Sequence, residues 1–372
     1  MKAKYSFYNI PKKYSLDDYK ETVNFIIRKY SKVSDLTSIY NWGGSLTPGI
    51  SDLDIIFVFK DDKIPAIPLS KRVFYILNDK CRYIARHPFF YIDELSFQNI
   101  RHIYPDAEFA LIHGKNIKIK DSSRRDADFS RIALVSDIII RHYPRDFLEQ
   151  EIMKNINARD MLLRLNSLKY SIKTIELITK EKNKELANKV EQIEELRKNW
   201  FDENNFNLLA SLNEDAISIG MNLAENFKNF LVANNLVKVY SGDKIEYNGA
   251  RNTTLFIKNW SREKAIRCMS ELIKSQKRFF SILPIEFAPQ LIEYSKHKGP
   301  ITNYIKERLS GNLKYELRYS YIIEKRAFIL NKQAELASTI KHSNFVAFFD
   351  FGYRNRSGIN NIILNFARSL RD

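Results

Sequence analysis

Two carboxylates, Asp52 and Asp54, stand immediately before an apolar run and have the type and spacing of a cation site. The run, residues 55–59, is Ile-Ile-Phe-Val-Phe, and such β-branched and aromatic residues without helical spacing predict a buried strand. Side chains alternate across a strand, so positions 52 and 54 project to the same side. Neighbouring carboxylates repel each other, and a divalent cation between them relieves that repulsion. Oxygen ligands that face a phosphate favour Mg²⁺.

A glycine-rich turn precedes the two aspartates. Gly43, Gly44 and Ser45 follow a weakly apolar segment, Leu36 to Tyr40. Glycine lets the backbone approach a ligand closely, and successive N–H groups with a serine hydroxyl can donate hydrogen bonds to phosphate oxygens. We expect residues 43–45 to bind the phosphates of a nucleotide. The competing interpretation is an ordinary turn before a strand, since turns are rich in Gly, Pro, Ser and Asp.

Five features follow one another in this stretch: a glycine pair, a serine, a short loop, Ser-Asp-Leu-Asp and a hydrophobic strand. This order resembles the signature of the polymerase-β-like nucleotidyltransferases. The resemblance covers residues 20–120 and implies a short mixed sheet with flanking helices. It also implies an enzyme that transfers a nucleoside monophosphate from an NTP to an acceptor hydroxyl and releases pyrophosphate. Such enzymes use two Mg²⁺ ions held by three carboxylates. Six residues separate Ser45 from Asp52, fewer than is common in this superfamily.

The resemblance implies a third carboxylate on a neighbouring strand. Asp93 is our candidate by position, because it lies near the end of a strand-like run, residues 89–95. Glu94 projects to the opposite face of that run, and Glu108, just before a further strand-like run at 109–114, competes with Asp93. The predicted catalytic and metal-binding residues are Asp52, Asp54 and Asp93, and the predicted nucleotide-binding residues are Gly43, Gly44 and Ser45.

Composition indicates an ordinary soluble protein of more than one domain. The 372 residues are 44% hydrophobic and 28% charged, which is typical of globular chains and enough for two or more domains. No apolar run reaches membrane-spanning length, and the N-terminal residues lack a signal-peptide core. We therefore expect no membrane association and a cytoplasmic location. The chain has two cysteines, Cys81 and Cys268, which argues against a disulfide framework. Its six histidines lack the spacing of metal ligands, which argues against a histidine-bound metal.

The formal net charge of +16 favours polyanionic partners, which include an NTP, a nucleic acid or an anionic surface. The positive charges are spread along the chain, so solvated lysine-rich helix faces explain them equally well. Charge also supports an alternative function: a non-catalytic nucleotide- or nucleic-acid-binding protein on the same scaffold.

We expect an α+β chain in three parts. Residues 1–122 form the predicted nucleotidyltransferase domain, residues 123–299 a mainly α-helical bundle, and residues 300–372 a C-terminal helical segment. Apolar residues spaced three to four apart over 158–178 and 186–200 predict antiparallel helices, with a coiled-coil dimer as the alternative. Ser15 predicts the N-terminus of an earlier helix that extends to Tyr30.

Alternating segments on either side of Gly242 predict a β-hairpin within 236–258, which either grips an acceptor or caps the bundle. Residues 253–258 could add a third strand, and residues 265–280 are expected to be helical again.

Near the C-terminus, residues 313–341 and 359–370 have helical patterns. Between them lies an aromatic run, Phe345 to Tyr353, followed by Arg354 and Arg356. Aromatic and arginine side chains can stack on bases, and they also form ordinary core.

The sequence leaves the acceptor and the base of the NTP open. No recognisable RNA-binding module follows the motif. Leu46-Thr47-Pro48 stands where tRNA-end enzymes have an arginine-aspartate motif. We therefore expect a small-molecule, carbohydrate or protein acceptor rather than tRNA.

Overall fold

The computed structural model describes residues 5–43, 46–61, 78–86, 89–249, 252–276, 279–339 and 347–353. The strands in these ranges are β1 (Ser6–Tyr8), β2 (Leu36–Trp42), β3 (Asp54–Phe59), β4 (Phe90–Asp93), β5 (Phe109–Gly114), β6 (Asn155–Asn157), β7 (Val237–Ser241), β8 (Lys244–Asn248), β9 (Asn252–Ile257), β10 (Phe279–Pro284), β11 (Leu309–Ser310) and β12 (Lys314–Leu317). The helices are α1 (Leu16–Tyr30), α2 (Asp79–Ile84), α3 (Glu94–Gln98), α4 (Arg124–His142), α5 (Arg145–Met153), α6 (Ala158–Thr179), α7 (Lys184–Lys198), α8 (Trp200–Glu203), α9 (Phe206–Ala233), α10 (Arg262–Gln276), α11 (Ala288–Ser295), α12 (Pro300–Lys306) and α13 (Ser320–Thr339). This mixture of helices and small sheets agrees with the predicted α+β class.

The N-terminal sheet is mixed and has the strand order β4-β3-β2-β5. β2 runs antiparallel to β3 and to β5, whereas β3 and β4 are parallel. The apolar run at residues 55–59 forms most of β3, and all five of these side chains are buried. The strands predicted at 55–59 and 109–114 are confirmed.

Helix α1 covers one face of this sheet and begins at the predicted N-cap. The Ser15 hydroxyl accepts a hydrogen bond from the Asp18 N–H (3.2 Å), and the Asp18 carboxylate accepts one from the Ser15 N–H (2.8 Å). This reciprocal capping box satisfies two backbone donors that the first turn leaves unpaired. Tyr19, Ile26 and Tyr30 of α1 pack with the β3 side chains on the same face of the sheet.

The other face of the sheet packs against the remainder of the chain. Tyr40, Ile56 and Val58 belong to a hydrophobic cluster that extends through the helices as far as Phe351. Helix α13 lies on β4, where the Gln333 side-chain amide donates to the Tyr91 carbonyl (3.2 Å). Residues on both sides of the predicted boundaries at 122 and 299 therefore share one core.

Helices α6 and α7 confirm the helices predicted over 158–178 and 186–200. Their apolar faces are buried within this chain, against each other and against α9, so intrachain packing accounts for the spacing of their leucines and isoleucines. β1 pairs in parallel with β6 and ties the N-terminal segment to this helical region.

The predicted hairpin around Gly242 is wrong in its pairing. β7 pairs with β12, whereas β8 pairs with β9 and β11, so the two segments that flank Gly242 belong to different sheets. A further strand, β10, pairs in parallel with β9 after α10. The helix predicted over 265–280 thus ends at Gln276, and the region holds a four-stranded sheet. Local alternation predicts strands, but long-range packing selects their partners.

The C-terminal predictions are met in part. The helix predicted over 313–341 contains α13, but its first residues form β12. Ala347, Phe348, Phe349 and Phe351 are buried, which makes the described part of the aromatic run core. Arg354, Arg356 and the helix predicted over 359–370 lie outside the described residues.

Across the described ranges, no helix is both long and apolar enough to cross a membrane.

An ion pair between Asp137 of α4 and Arg326 of α13 lies in the core, and neither residue is exposed to solvent. The Tyr294 hydroxyl donates to Asp137 (2.9 Å) and accepts from the Arg326 Nε–H (2.8 Å). Arg326 also donates to the carbonyls of residues 102 and 103. Saturated hydrogen bonding makes such buried charges tolerable.

Replacing Asp137 by Asn should lower the free energy of unfolding by about 3–5 kcal/mol, because the Arg326 charge remains buried without its counter-charge. The matched control is Lys325→Gln, which removes a partly exposed pair with Asp126 that joins the same two helices. That change should cost less than about 1 kcal/mol. Urea unfolding of both variants measures the difference, and equal losses would contradict a special role for the buried pair.

Candidate functional site

The two aspartates lie where β2 ends and β3 begins. Asp54 is the first residue of β3 and pairs with Trp42, the last residue of β2, which pairs in turn with Phe109 at the start of β5. Asp52 lies two residues earlier, and both carboxylates are on half-buried residues. One edge of the sheet thus brings together the aspartates and the start of the glycine-rich turn.

Of the predicted phosphate-binding residues, Gly43 is described, and Gly44 and Ser45 lie outside the described residues. Gly43 is exposed, and its φ of +128° lies in a region that side chains disfavour. Its N–H donates to the Glu108 carbonyl (3.4 Å). A Cβ built on Gly43 would meet no atom within 4 Å, which leaves open space beside this backbone.

Asp93 is not brought together with Asp52 and Asp54. It pairs with Phe59, at the far end of β3 from Asp54, and five residues of strand correspond to about 16 Å. Its carboxylate caps α3 by accepting from the Ser96 N–H (2.7 Å) and the Ser96 hydroxyl (3.0 Å). We therefore correct the prediction: Asp93 is a helix cap and is not placed to share a cation with Asp54.

The two alternatives to Asp93 lie at opposite ends of the sheet. Glu94 accepts a hydrogen bond from the Thr37 hydroxyl (2.5 Å), near the start of β2 and far from Asp54. Glu108 directly precedes β5, and its backbone carbonyl bonds to Gly43. Among these three acids, Glu108 is the one at the edge that holds Asp54.

The six residues between Ser45 and Asp52 form a compact turn. The Thr47 carbonyl accepts from the N–H groups of Ile50 (3.1 Å) and Ser51 (2.9 Å), and the Ser51 hydroxyl accepts from the Thr47 N–H (2.9 Å). Gly49 has φ +82°, and a Cβ there would lie 2.2 Å from the Lys12 carbonyl oxygen. Positive φ and close backbone contact both require glycine at this position.

Two tyrosines hold this turn from the α1 and α2 side. The Tyr19 hydroxyl accepts from the Gly49 N–H (3.0 Å) and donates to the Ser51 carbonyl. The Tyr83 hydroxyl donates to the Gly49 carbonyl (2.8 Å). Burial raises the pKa of Tyr19 to about 12, so this hydroxyl keeps its proton at neutral pH and remains a donor.

Two buried arginines hold the same turn from the helical side. Arg159 of α6 donates to the carbonyls of Ile50 (3.2 Å) and Ser51 (3.5 Å). Arg197 of α7 donates to the hydroxyls of Ser51 (3.2 Å) and Thr47 (3.4 Å). Burial lowers the pKa of both guanidinium groups, that of Arg197 to about 10, and both therefore stay charged at neutral pH. No motif in the sequence predicts these contacts, because their partners are backbone and hydroxyl oxygens that are distant in the chain.

An aromatic wall borders Asp54 on the other side. The Trp42 ring lies 4.1 Å from that of Tyr104 and 5.7 Å from that of Phe348, measured between centroids. Burial raises the pKa of Tyr104, and the nearby Asp54 charge raises it further. Arg141 of α4 packs over Phe349 at 5.3 Å and donates to the Phe348 carbonyl (3.1 Å). These contacts hold Phe348 and Phe349 against Trp42 and Tyr104.

The donor set of Asp52 and Asp54 fits Mg²⁺, which proteins commonly hold with one or two carboxylates together with substrate phosphates. Within the described ranges, no group of three His, Cys, Asp or Glu side chains has the arrangement of a metal cluster.

Comparisons with protein-family models, curated proteins and solved structures found no match to this chain.

Two substitutions distinguish the role of Asp93 as a helix cap from a role as a metal ligand. Asn caps helices as well as Asp does, so Asp93→Asn should leave stability unchanged, whereas Asp93→Ala should cost about 1 kcal/mol. Neither variant should alter metal-dependent nucleotide binding. Urea unfolding and calorimetric titration check both statements. If Asp93→Asn loses metal-dependent nucleotide binding but keeps its stability, Asp93 is a metal ligand and this correction is wrong.

Proposed function

We propose that this protein is a metal-dependent nucleotidyltransferase, which transfers a nucleoside monophosphate from an NTP to an acceptor hydroxyl and releases pyrophosphate. The observation that carries the proposal is the position of Asp52 and Asp54 at the sheet edge where β2 leads into the glycine pair. Two carboxylates beside a glycine-rich phosphate-binding turn are the parts that metal-assisted phosphoryl transfer requires.

Each residue has a distinct part in this proposal. Asp54 holds its carboxylate at the start of β3, and Asp52 holds its own directly after the turn that the two arginines fix. Mg²⁺ bound by these carboxylates would neutralise triphosphate charge and lower the pKa of the acceptor hydroxyl. The Gly43 N–H already donates to the Glu108 carbonyl, so the Gly44 N–H and the Ser45 hydroxyl are the proposed donors to the phosphates, which the open space beside Gly43 lets approach. Of the acids considered, Glu108 is the one whose backbone reaches this edge of the sheet, and no third carboxylate is assigned.

The acceptor is proposed to bind at the sheet edge that holds Asp54. Trp42, Tyr104 and Phe348 pack closely against one another next to that edge, and Phe348 is buried, so these rings close one side of the site. A small molecule, a carbohydrate or a protein side chain is the proposed acceptor.

The alternative is a protein that binds a nucleotide or nucleic acid without turnover. The net charge of +16 supports it, because polyanion binding then follows from charge alone. Its affinity for RNA or DNA should fall steeply with salt and require no NTP.

Isothermal titration with ATP, GTP, CTP and UTP, each with and without Mg²⁺, tests the proposal. We expect one or more NTPs to bind wild type only with the metal. Asp52→Asn and Asp54→Asn should each abolish metal-dependent binding and transfer while the fold is kept, because removing charge from a repulsive pair rarely destabilises a protein. Asp93→Asn is the matched control, with the same chemical change at a capping carboxylate.

Retained turnover in Asp52→Asn would remove the metal assignment. If wild type binds no NTP but shows salt-dependent affinity for RNA, the alternative function is favoured.

A further inference from the structure

Two buried positive charges stand directly beside Asp52. Arg159 and Arg197 are 3% and 5% exposed, and both contact Ser51, the residue before Asp52. Arg159 donates to the Ser51 carbonyl (3.5 Å), which belongs to the peptide bond that joins Ser51 to Asp52, and Arg197 donates to the Ser51 hydroxyl (3.2 Å). The Asp52 carboxylate itself interacts electrostatically with both guanidinium groups.

The hydrogen-bond partners of these two arginines are neutral, and the carboxylate charge that acts on both of them is that of Asp52. Among the described residues, the oxygens that accept hydrogen bonds from the two guanidinium groups are carbonyls and hydroxyls, including the carbonyls of Tyr83 (2.8 Å) and Leu162 (2.7 Å). Neutral acceptors satisfy the donors without cancelling the charge. Charges in a buried environment interact more strongly than in water. Both arginines therefore affect the binding of any charged ligand at Asp52 and Asp54.

The two arginines and two aspartates together have a formal charge near zero. A bare divalent cation is attracted by the carboxylates and repelled by the guanidinium groups. A metal–triphosphate complex is a net anion, so the guanidinium groups attract it while the carboxylates bind its metal. The same four side chains thus treat a free metal ion and a metal–triphosphate complex differently.

We propose that Arg159 and Arg197 are positioning residues that make this site select the metal–triphosphate complex over the free metal ion. The metal then enters together with the nucleotide. The inference rests on the proposed function and specifies how its substrate is recognised.

The test measures Mn²⁺ binding by paramagnetic resonance, with Mn²⁺ alone, with tripolyphosphate and with ATP as probes. Wild type should bind the complexes at least about tenfold more tightly than free Mn²⁺. Arg197→Met should bind free Mn²⁺ about tenfold more tightly and the complexes about tenfold more weakly. Arg197→Lys retains the charge and should retain the wild-type order. Arg159→Met provides a second charge-removing variant if Arg197→Met does not fold.

If the arginines act through their charge, the affinities for free and complexed Mn²⁺ shift in opposite directions in the methionine variants. A merely structural role would weaken both affinities. Parallel weakening in the methionine variants, or equal wild-type affinity for free and complexed Mn²⁺, overturns this inference and leaves the proposed function standing. If wild type binds no complex at all, the proposed function fails, and the inference fails with it.

Discussion

Buried arginines donate hydrogen bonds to the Thr47–Ser51 turn, and the candidate site depends on this constraint. Removing a guanidinium group from water costs several kcal/mol unless its donors are satisfied. Arg159 and Arg197 meet this requirement with oxygens of the turn and of nearby backbone. Neither the turn nor the ends of α6 and α7 that carry these arginines can shift without leaving buried donors unpaired.

This constraint joins parts of the chain that are distant in sequence. The turn lies between Tyr19 and Tyr83 on one side and the two arginines on the other. Asp52 is attached to it, and Asp54 begins a strand whose other five side chains are fully buried. On the opposite face, the Asp137–Arg326 pair joins α4 to α13, which packs on β4 of the same sheet. The aspartates are therefore held on a rigid support, as a site for oriented charge requires.

Much of the local structure was predictable from the sequence. The capping serine and apolar spacing of α1, the β-branched run of β3 and the leucine and isoleucine spacing of α6 and α7 depend on near neighbours. Those elements formed where expected. The four-stranded sheet of β8 to β11 was missed because alternation around Gly242 suggested a local hairpin. Its pairing partners lie far along the chain, and a local pattern carries no information about them.

The sequence by itself determined that Asp52 and Asp54 open a buried strand after a glycine-rich turn, because strand and turn preferences act over a few residues. The tertiary structure decided which other charges join them. β3 and β4 run parallel, so Asp93, at the end of its strand, lies at the opposite edge from Asp54, at the start of its own. An antiparallel pairing would have brought them together. Packing of α6 and α7 on the turn likewise brought Arg159 and Arg197 to Asp52, because satisfying buried donors is a property of the folded chain and not of any segment.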